Sequence, residues 1–413
     1  MKIEKKELAA LFFNTSVLVS SLGYFVDIYD LILFGIVRVS SLTSLGVPQD
    51  KLIDVGILLL QLQMAGMLLG GILWGVLGDK KGRVSVLFAS IFLYSVANIA
   101  NAFVTSVPVY GLLRFIAGLG LAGELGAAVT LVSELLPKEL RGYGTAIIAA
   151  IGVSGAIVAA IVGENFSWQT AYIIGGILGL LLLLLRLKMF ESGIYKSIAN
   201  QDISKGNFFQ LFTSKERFFK YINCILIGLP IWFVIGVLIT FSPEFGKVLG
   251  VSGDIAAGKS IMFTYIGLII GDFVSGFLSQ WMRSRKKILL IFISSTFLLV
   301  SFYLYLRGLS TAEFYFLCLL LGLAVGYWAV FVTIGAENFG TNLRATVTTT
   351  VPNFIRGSVI PITFAFEYFK KSFGIINSAL IVAIIILIIT FISLYNLEET
   401  YGKNLDYVEE IPA

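Results

Sequence analysis

The sequence predicts an all-α membrane protein of twelve transmembrane helices arranged as two pseudo-symmetric six-helix bundles. Three observations point there. The first is composition: of 413 residues, 57% are apolar and only 13% charged, where soluble domains run about 45–50% and about 25%. Charge at that density cannot cover a soluble surface, which excludes a soluble enzyme and a nucleic-acid-binding domain. The second is that the apolar residues gather into runs of roughly 20, the length a helix needs to cross a bilayer. The third is that polar motifs of the first half return in the second at a nearly constant offset, the mark of an internal repeat. With 42 glycines and 34 phenylalanines against 8 prolines, the chain reads as membrane helix rather than as disordered or collagen-like sequence.

The apolar windows place the spans at 11–37, 55–78, 84–105, 108–136, 143–163, 168–188, 221–243, 258–282, 288–306, 313–337, 346–368 and 374–396. No short alternating segments of a transmembrane β-barrel are present. The first apolar stretch begins near Leu11 and outruns a signal-peptide h-region, so no cleavable leader is expected. The longest polar stretch, 189–220, divides the spans six and six. The expected organisation is therefore a bundle over 1–188, a cytoplasmic loop over 189–220, a second bundle over 221–396 and a tail over 397–413.

Orientation follows from the basic residues, which favour cytoplasmic loops. With the N-terminus inside, 21 of the 30 Lys and Arg fall on the cytoplasmic side and 7 outside, Arg38 among the outer and Arg186 among the inner ones. Arg114 and Arg356 lie inside spans. Both termini are thus expected in the cytoplasm, in a plasma membrane (for a bacterium, the inner one). The net charge of +5 sits mostly on that face.

Two counts narrow the chemistry. The chain has no histidine, which removes Ser-His-Asp and Cys-His catalysis, histidine metal sites and histidine proton relays. Its two cysteines, Cys224 and Cys318, stand alone in apolar runs and read as core residues. No GxxxxGK[ST] phosphate loop is present, which disfavours an ATP-driven pump. Neither an enzyme nor a bound cofactor or metal is expected.

The repeat is carried by charge. SELLPKELRG places Glu134 and Arg141 seven apart after span four, and AENFGTNLRAT places Glu337 and Arg344 seven apart after span ten, each pair displaced by 203 residues. Gly75 and Gly276 near the ends of spans two and eight differ by 201 and each precedes a basic turn. GVLGDKKGR, with Gly75, Asp79, Gly82 and Arg83, resembles the signature between helices two and three of the major facilitator superfamily; its second copy, GFLSQWMRSRKK, has Gln280 in place of the acid. RFIAGLGLAGELG, the Glu-x6-Arg pairs and the tail LEETYGKNLDYVEE resemble the sugar-porter and metabolite–proton symporter branches. GYFVDIYD is similar to the helix-one motif of metabolite–proton symporters, with Ile28 at one aromatic position. The resemblance covers essentially the whole chain and implies alternating access. Independently of it, Asp79 ends a helix, Gly82 permits a tight turn and Arg83 returns toward the helix ends. With Glu134, Arg141, Glu337 and Arg344 they are expected to latch the cytoplasmic face.

Ionisable residues within spans are functional candidates, because each is costly in hydrocarbon. These are Asp27, Asp30, Arg114, Glu124, Asp272 and Arg356. Counting ~1.5 Å per residue, Asp27, Asp30 and Arg114 are level, roughly 9–15 Å below the outer face. An acid on helix one opposite an arginine on helix four is the coupling pair of many sugar porters, so the resemblance suggests Asp27–Arg114, with Asp30 as the alternative acid. Glu124, read as an unpaired carboxyl, is a further proton candidate. Asp272 either caps a neighbouring helix or meets substrate. Arg356, near the middle of span eleven between Pro352 and Pro361, suits a carboxylate; otherwise it is the counter-ion of a buried acid. Tyr24, Tyr29, Gln61, Asn98, Trp232, Tyr265, Tyr327, Trp328 and Asn353 are candidate cavity residues.

The expectation is a monomeric secondary carrier that moves a small organic acid or amino-acid-like solute by proton symport, with protons and lipid as its other partners. Two alternatives remain at this point: a uniporter or exporter of an uncharged, sugar-like solute, and a membrane sensor on a carrier fold.

Overall fold

The computed structural model describes residues 14–81, 83–126, 128, 132, 136, 147–186 and 208–403, the side chains of 78–81, 83, 341, 342, 344 and 345 excepted. Among the described residues all regular elements are helical, apart from one isolated bridge between Ser252 and Ser310. Eleven helices are long and apolar enough to cross a membrane. The last, Thr346–Asn396, has 51 residues, about 75 Å at 1.5 Å per residue, against a hydrocarbon thickness of about 30 Å. It is the predicted spans eleven and twelve run together. The backbone leaves helical geometry at Gly374, with φ 73° and ψ 174°, a region open essentially to glycine alone. The chain turns back there, and twelve crossings result.

Two limits differ most from the sequence reading, the end of span one and the start of span seven. Span one is Thr15–Ser44 rather than 11–37, because Arg38 is fully buried and does not end the helix. Span seven begins at Lys215 rather than at 221. Its first turns carry Lys215, Glu216, Arg217 and Lys220, which an apolar window rejects.

The internal repeat is visible in the packing. Spans two and four cross backbone to backbone: a Cβ on Gly66 would strike the carbonyl of Phe115, and one on Gly118 that of Gln63. Spans eight and ten repeat this contact, Gly267 against Leu319 and Gly322 against Thr264. Small residues that admit such close approach are the usual means of holding membrane helices together, since lipid supplies no hydrophobic drive between them. Gly75 and Gly276, matched in sequence, have open space where a Cβ would stand, so close packing does not explain that pair.

Spans four and ten are interrupted at equivalent points. Helix Val107–Leu121 ends at Ala122 and Gly123, and helix Thr311–Val325 ends at Gly326 before Trp328–Glu337 resumes. Span seven is also broken, at Ile227 and Gly228, and continues as Leu229–Phe233 and a π-helical turn Val234–Ile239. Carbonyls freed by a break must find donors in hydrocarbon. Here Tyr327 Oη donates to Ile227 O at 3.2 Å and Thr390 Oγ1 to Leu226 O at 3.2 Å.

Both ends of an even number of spans lie on one face, called here the terminus face. On the opposite face two ion pairs join the first six spans to the last six. Arg38 Nη2 lies 2.6 Å from Glu244 Oε1, with its guanidinium over the Phe241 ring. Lys370 pairs with Asp54. Deeper in, Gln61 Nε2 donates to Thr363 Oγ1 at 2.9 Å, and Asn353 Nδ2 to Ala122 O at 3.1 Å.

Candidate transport site

The site is built on span one. Asp27 and Asp30 stand three residues apart, hence on one helical face, and both are fully buried. Asp27 does not meet Arg114, contrary to the pairing that the sequence reading expected. Its Oδ2 lies 3.8 Å from Arg356 Nη2, with side chains 0% and 2% exposed. The pair joins span one to span eleven, and so one half of the chain to the other. Arg356 comes last but one in helix Thr341–Gly357, next to the Gly357–Ser358 break that separates it from Val359. That position puts its guanidinium 6.0 Å from the Trp328 ring and against Tyr24, which is also buried. Neither carboxylate oxygen of Asp27, nor Arg356 Nε, has a hydrogen-bond partner.

Arg114 belongs with the alternative acid. It is the cation that acts on Asp30, and it is held within the first half. Its Nη2 donates to Asn98 Oδ1 at 2.7 Å, and its guanidinium lies over Tyr172 at 4.7 Å and Tyr110 at 5.9 Å. The hydroxyls of those tyrosines share a hydrogen bond of 2.6 Å. Sequence spacing placed both acids level with Arg114. It could not show which of them faced into the bundle of spans one, three, four and six and which faced the other half.

Glu124 is not an unpaired carboxyl. It follows the break in span four and is clamped by Arg186 of span six, Nη1 donating to Oε2 at 3.0 Å and Nη2 to Oε1. Both side chains are 0% exposed, and both fill the space beside Gly23 on span one, where a Cβ would strike them. Arg186 and Arg38 are the functional candidates that the sequence reading missed. Each was counted as a flanking charge, although Arg186 lay inside the limits drawn for span six. That position was the signal available.

Asp272 takes the capping role. It accepts from the N–H of Ala329 at 3.1 Å, in the first turn of the helix that resumes after the span-ten break. Tyr327 is spent on Ile227 O, and the amide nitrogens of Gln61 and Asn353 on contacts between the halves, while Asn353 Oδ1 has no partner. Trp232 and Tyr265 are buried, and the indole Nε1 of Trp232 has no partner. Tyr29 Oη donates to Ala171 O at 2.9 Å, a structural contact.

Gly82, Glu134 and Arg141, and the side chains of Asp79, Arg83 and Arg344, fall outside the described residues. On the terminus face Glu337 accepts from Arg285 Nη2 at 3.3 Å and from Thr400 Oγ1 at 2.6 Å. Beside it Glu399 caps the start of span nine, accepting from Arg285 N at 2.9 Å and from the Ser284 hydroxyl. Burial pushes the Glu399 carboxyl up, but hydrogen bonds from Ser284 and from the Tyr401, Arg285 and Lys286 N–H groups outweigh it and hold the carboxyl below its usual range.

A broken-helix bundle with inward-turned acids and arginines is a carrier architecture, and the comparisons agree. The sequence model of the Major Facilitator Superfamily matches residues 8–363. The chain belongs to that superfamily. A candidate niacin/nicotinamide transporter, NiaP of Bacillus subtilis (strain 168), is 28% identical over 342 residues, covering 78% of this chain and 81% of that one. A gentisate transporter of Corynebacterium glutamicum is 26% identical over 278 residues, or 63% of this chain and 59% of that one. Among solved structures, a D-xylose–proton symporter superposes with a TM-score of 0.72 at 17% identity, over 95% of this chain and 100% of the other; at that identity the likeness concerns the fold. This protein is an integral membrane transporter of the superfamily.

Proposed function

We propose that the protein is a proton symporter for a small organic acid, with an aromatic or heteroaromatic ring bearing one carboxylate as the favoured substrate. The observation that carries this reading is the buried Asp27–Arg356 pair between the halves, with Trp328 and Tyr24 beside the guanidinium. A guanidinium fork matches a carboxylate and an indole face suits a flat ring. The relatives named for niacin/nicotinamide and gentisate support that substrate class. Asp27 and Asp30 are the proton-carrying candidates, with Arg114 as the partner of Asp30.

The bodies that rock are 1–188 and 221–396, joined by the 189–220 loop. Asp79, Gly82, Arg83, Glu134, Arg141, Glu337 and Arg344 latch the terminus face, which is the cytoplasmic side of the plasma membrane. The test is uptake into proteoliposomes holding the purified full chain. Radiolabelled nicotinate, gentisate, benzoate, alanine and xylose are each offered with and without an inside-alkaline pH gradient. Acid uptake that rises with the gradient supports the reading, and uptake of xylose alone refutes it.

A further inference from the structure

Three acid–arginine pairs can be compared within this one chain, all buried except for Glu244, which is 17% exposed. Glu124 and Arg186 are locked by two hydrogen bonds. Arg38 reaches Glu244 at 2.6 Å and adds the carbonyls of Leu52 and Thr240. In each of these two pairs the arginine hydrogen-bonds the carboxylate directly, although Arg186 Nε, Arg38 Nε and Glu244 Oε2 have no partner. Asp27 and Arg356 differ. They stand 3.8 Å apart with both Asp27 oxygens and Arg356 Nε lacking hydrogen bonds, although they are as deeply buried as the others. A buried carboxylate and guanidinium left short of partners retain hydrogen-bonding capacity that a third group can satisfy.

From this we propose that substrate carboxylate and Asp27 compete for Arg356, and that this competition is the coupling step, one proton per carboxylate. The proposal rests on the organic-acid reading above. In the empty carrier Asp27 carboxylate and Arg356 guanidinium neutralise each other. An arriving carboxylate takes the guanidinium in a two-point contact that Asp27 does not make. Asp27 then has no cation. The groups that face it are Arg356 from span eleven, now occupied, and Glu124 from span four, already neutralised by Arg186 of span six. Asp30 and Tyr24 stand on its own span, and the Tyr94 hydroxyl of span three, itself unpartnered, senses both aspartates. Asp272 of span eight is held by Ala329 N–H.

None of these replaces the lost charge, so Asp27 binds a proton from the open side. The bookkeeping closes. Before binding the site holds one anion and one cation; afterwards it holds a neutral Asp27, Arg356 and the substrate anion. One proton and one carboxylate have entered, and the net charge is unchanged. On the far side Asp27 gives up the proton, regains Arg356 and displaces the substrate. An uncharged amide of the same ring cannot displace Asp27 and is not coupled.

The experiment uses reconstituted full-length protein with nicotinate and nicotinamide as probes. Nicotinate uptake is expected to follow an imposed pH gradient and to be indifferent to a valinomycin-set membrane potential of either sign. One proton should enter per nicotinate, read with an internal pH dye. In detergent, nicotinate affinity of the parent should fall roughly tenfold per pH unit above the point where Asp27 stops binding a proton. Asp27→Asn, which lacks the competing carboxylate, should bind nicotinate at least as tightly at neutral pH, without that pH slope, and exchange it without moving protons. A brace lost from the fold would weaken binding instead.

Should Asp27→Asn not fold, the potential and stoichiometry measurements on the parent decide alone. Acid uptake accelerated by an inside-negative potential overturns the competition and leaves the organic-acid reading standing. Retained proton movement in Asp27→Asn does the same. Absence of any acid uptake by the parent overturns both.

Discussion

Replacing Glu124 by Gln tests whether the buried clamp between spans four and six is a brace. The pair contributes two charge-assisted hydrogen bonds with both side chains 0% exposed, at about 1.5–3 kcal/mol each. Leaving Arg186 buried without its counter-ion should cost about 3–5 kcal/mol, or about 10²-fold to several thousand-fold in the folding equilibrium. The double variant Glu124→Leu/Arg186→Met removes both charges while keeping apolar bulk beside Gly23, and should recover most of the loss, since an apolar replacement of a buried pair is often near neutral. The assay is the unfolding midpoint of purified protein in detergent, followed by tryptophan emission. Glu124→Gln should melt well below the parent and the double variant close to it. If Glu124→Gln instead melts with the parent but loses pH-driven uptake, Glu124 is a proton carrier and the brace assignment is wrong.

Arg38→Gln should weaken closure of the face opposite the termini, because it removes the ion pair to Glu244 that joins the two halves there; a cysteine at Thr363 should then react faster with a membrane-impermeant thiol reagent than in the Arg38 parent, and equal rates would contradict this. Gly322→Ala drives a methyl group into the Thr264 carbonyl and should cost about 1–3 kcal/mol, seen as a lowered midpoint, whereas Gly276→Ala, with open space at its Cβ, should melt like the parent. Glu399 is held below its usual range in the folded protein, so its contribution is present above the unfolded value of about 4.3 and is lost as pH falls through the lower folded value. Hydrogen exchange of residues 397–403, corrected for intrinsic rate, should therefore rise below about pH 4 in the parent and show no such step in Glu399→Gln. Cysteines at Glu398 and Asp254 should be labelled from opposite sides of the membrane, the first from the cytoplasm; labelling of both from one side would contradict the twelve-span topology.

The crossings were legible because each is an apolar run of the right length, and the repeat was legible because matched charges recur at one offset. What sequence could not supply was azimuth. Asp27 and Asp30 share a face by spacing, but a rotation of a few tens of degrees decides whether each meets span four or span eleven, and that rotation is set by packing. The fate of Arg186 was hidden for a related reason: at the end of a leucine run an arginine reads as a positive-inside flank, and only the three-dimensional partner, Glu124, shows that it is turned inward. Setting Arg38 and Arg186 aside leaves 20 basic residues against 6, so the orientation argument survives their loss. Tyr327 looked like a cavity aromatic because aromatic composition says nothing of the broken carbonyl at Ile227 that its hydroxyl serves.

The glycine crossings have a consequence for how the chain is made. Spans enter a membrane in the order of synthesis, yet span two has its closest backbone partner in span four, and span eight in span ten. During biogenesis the glycine-lined faces of spans two and eight therefore remain against lipid until two further helices have been inserted. The intervening spans, three and nine, must be in place but out of the way. Both crossings lie wholly within one half, Gly66 against Phe115 and Gly267 against Leu319. The first four helices can thus seal their own crossing while the second half is still on the ribosome.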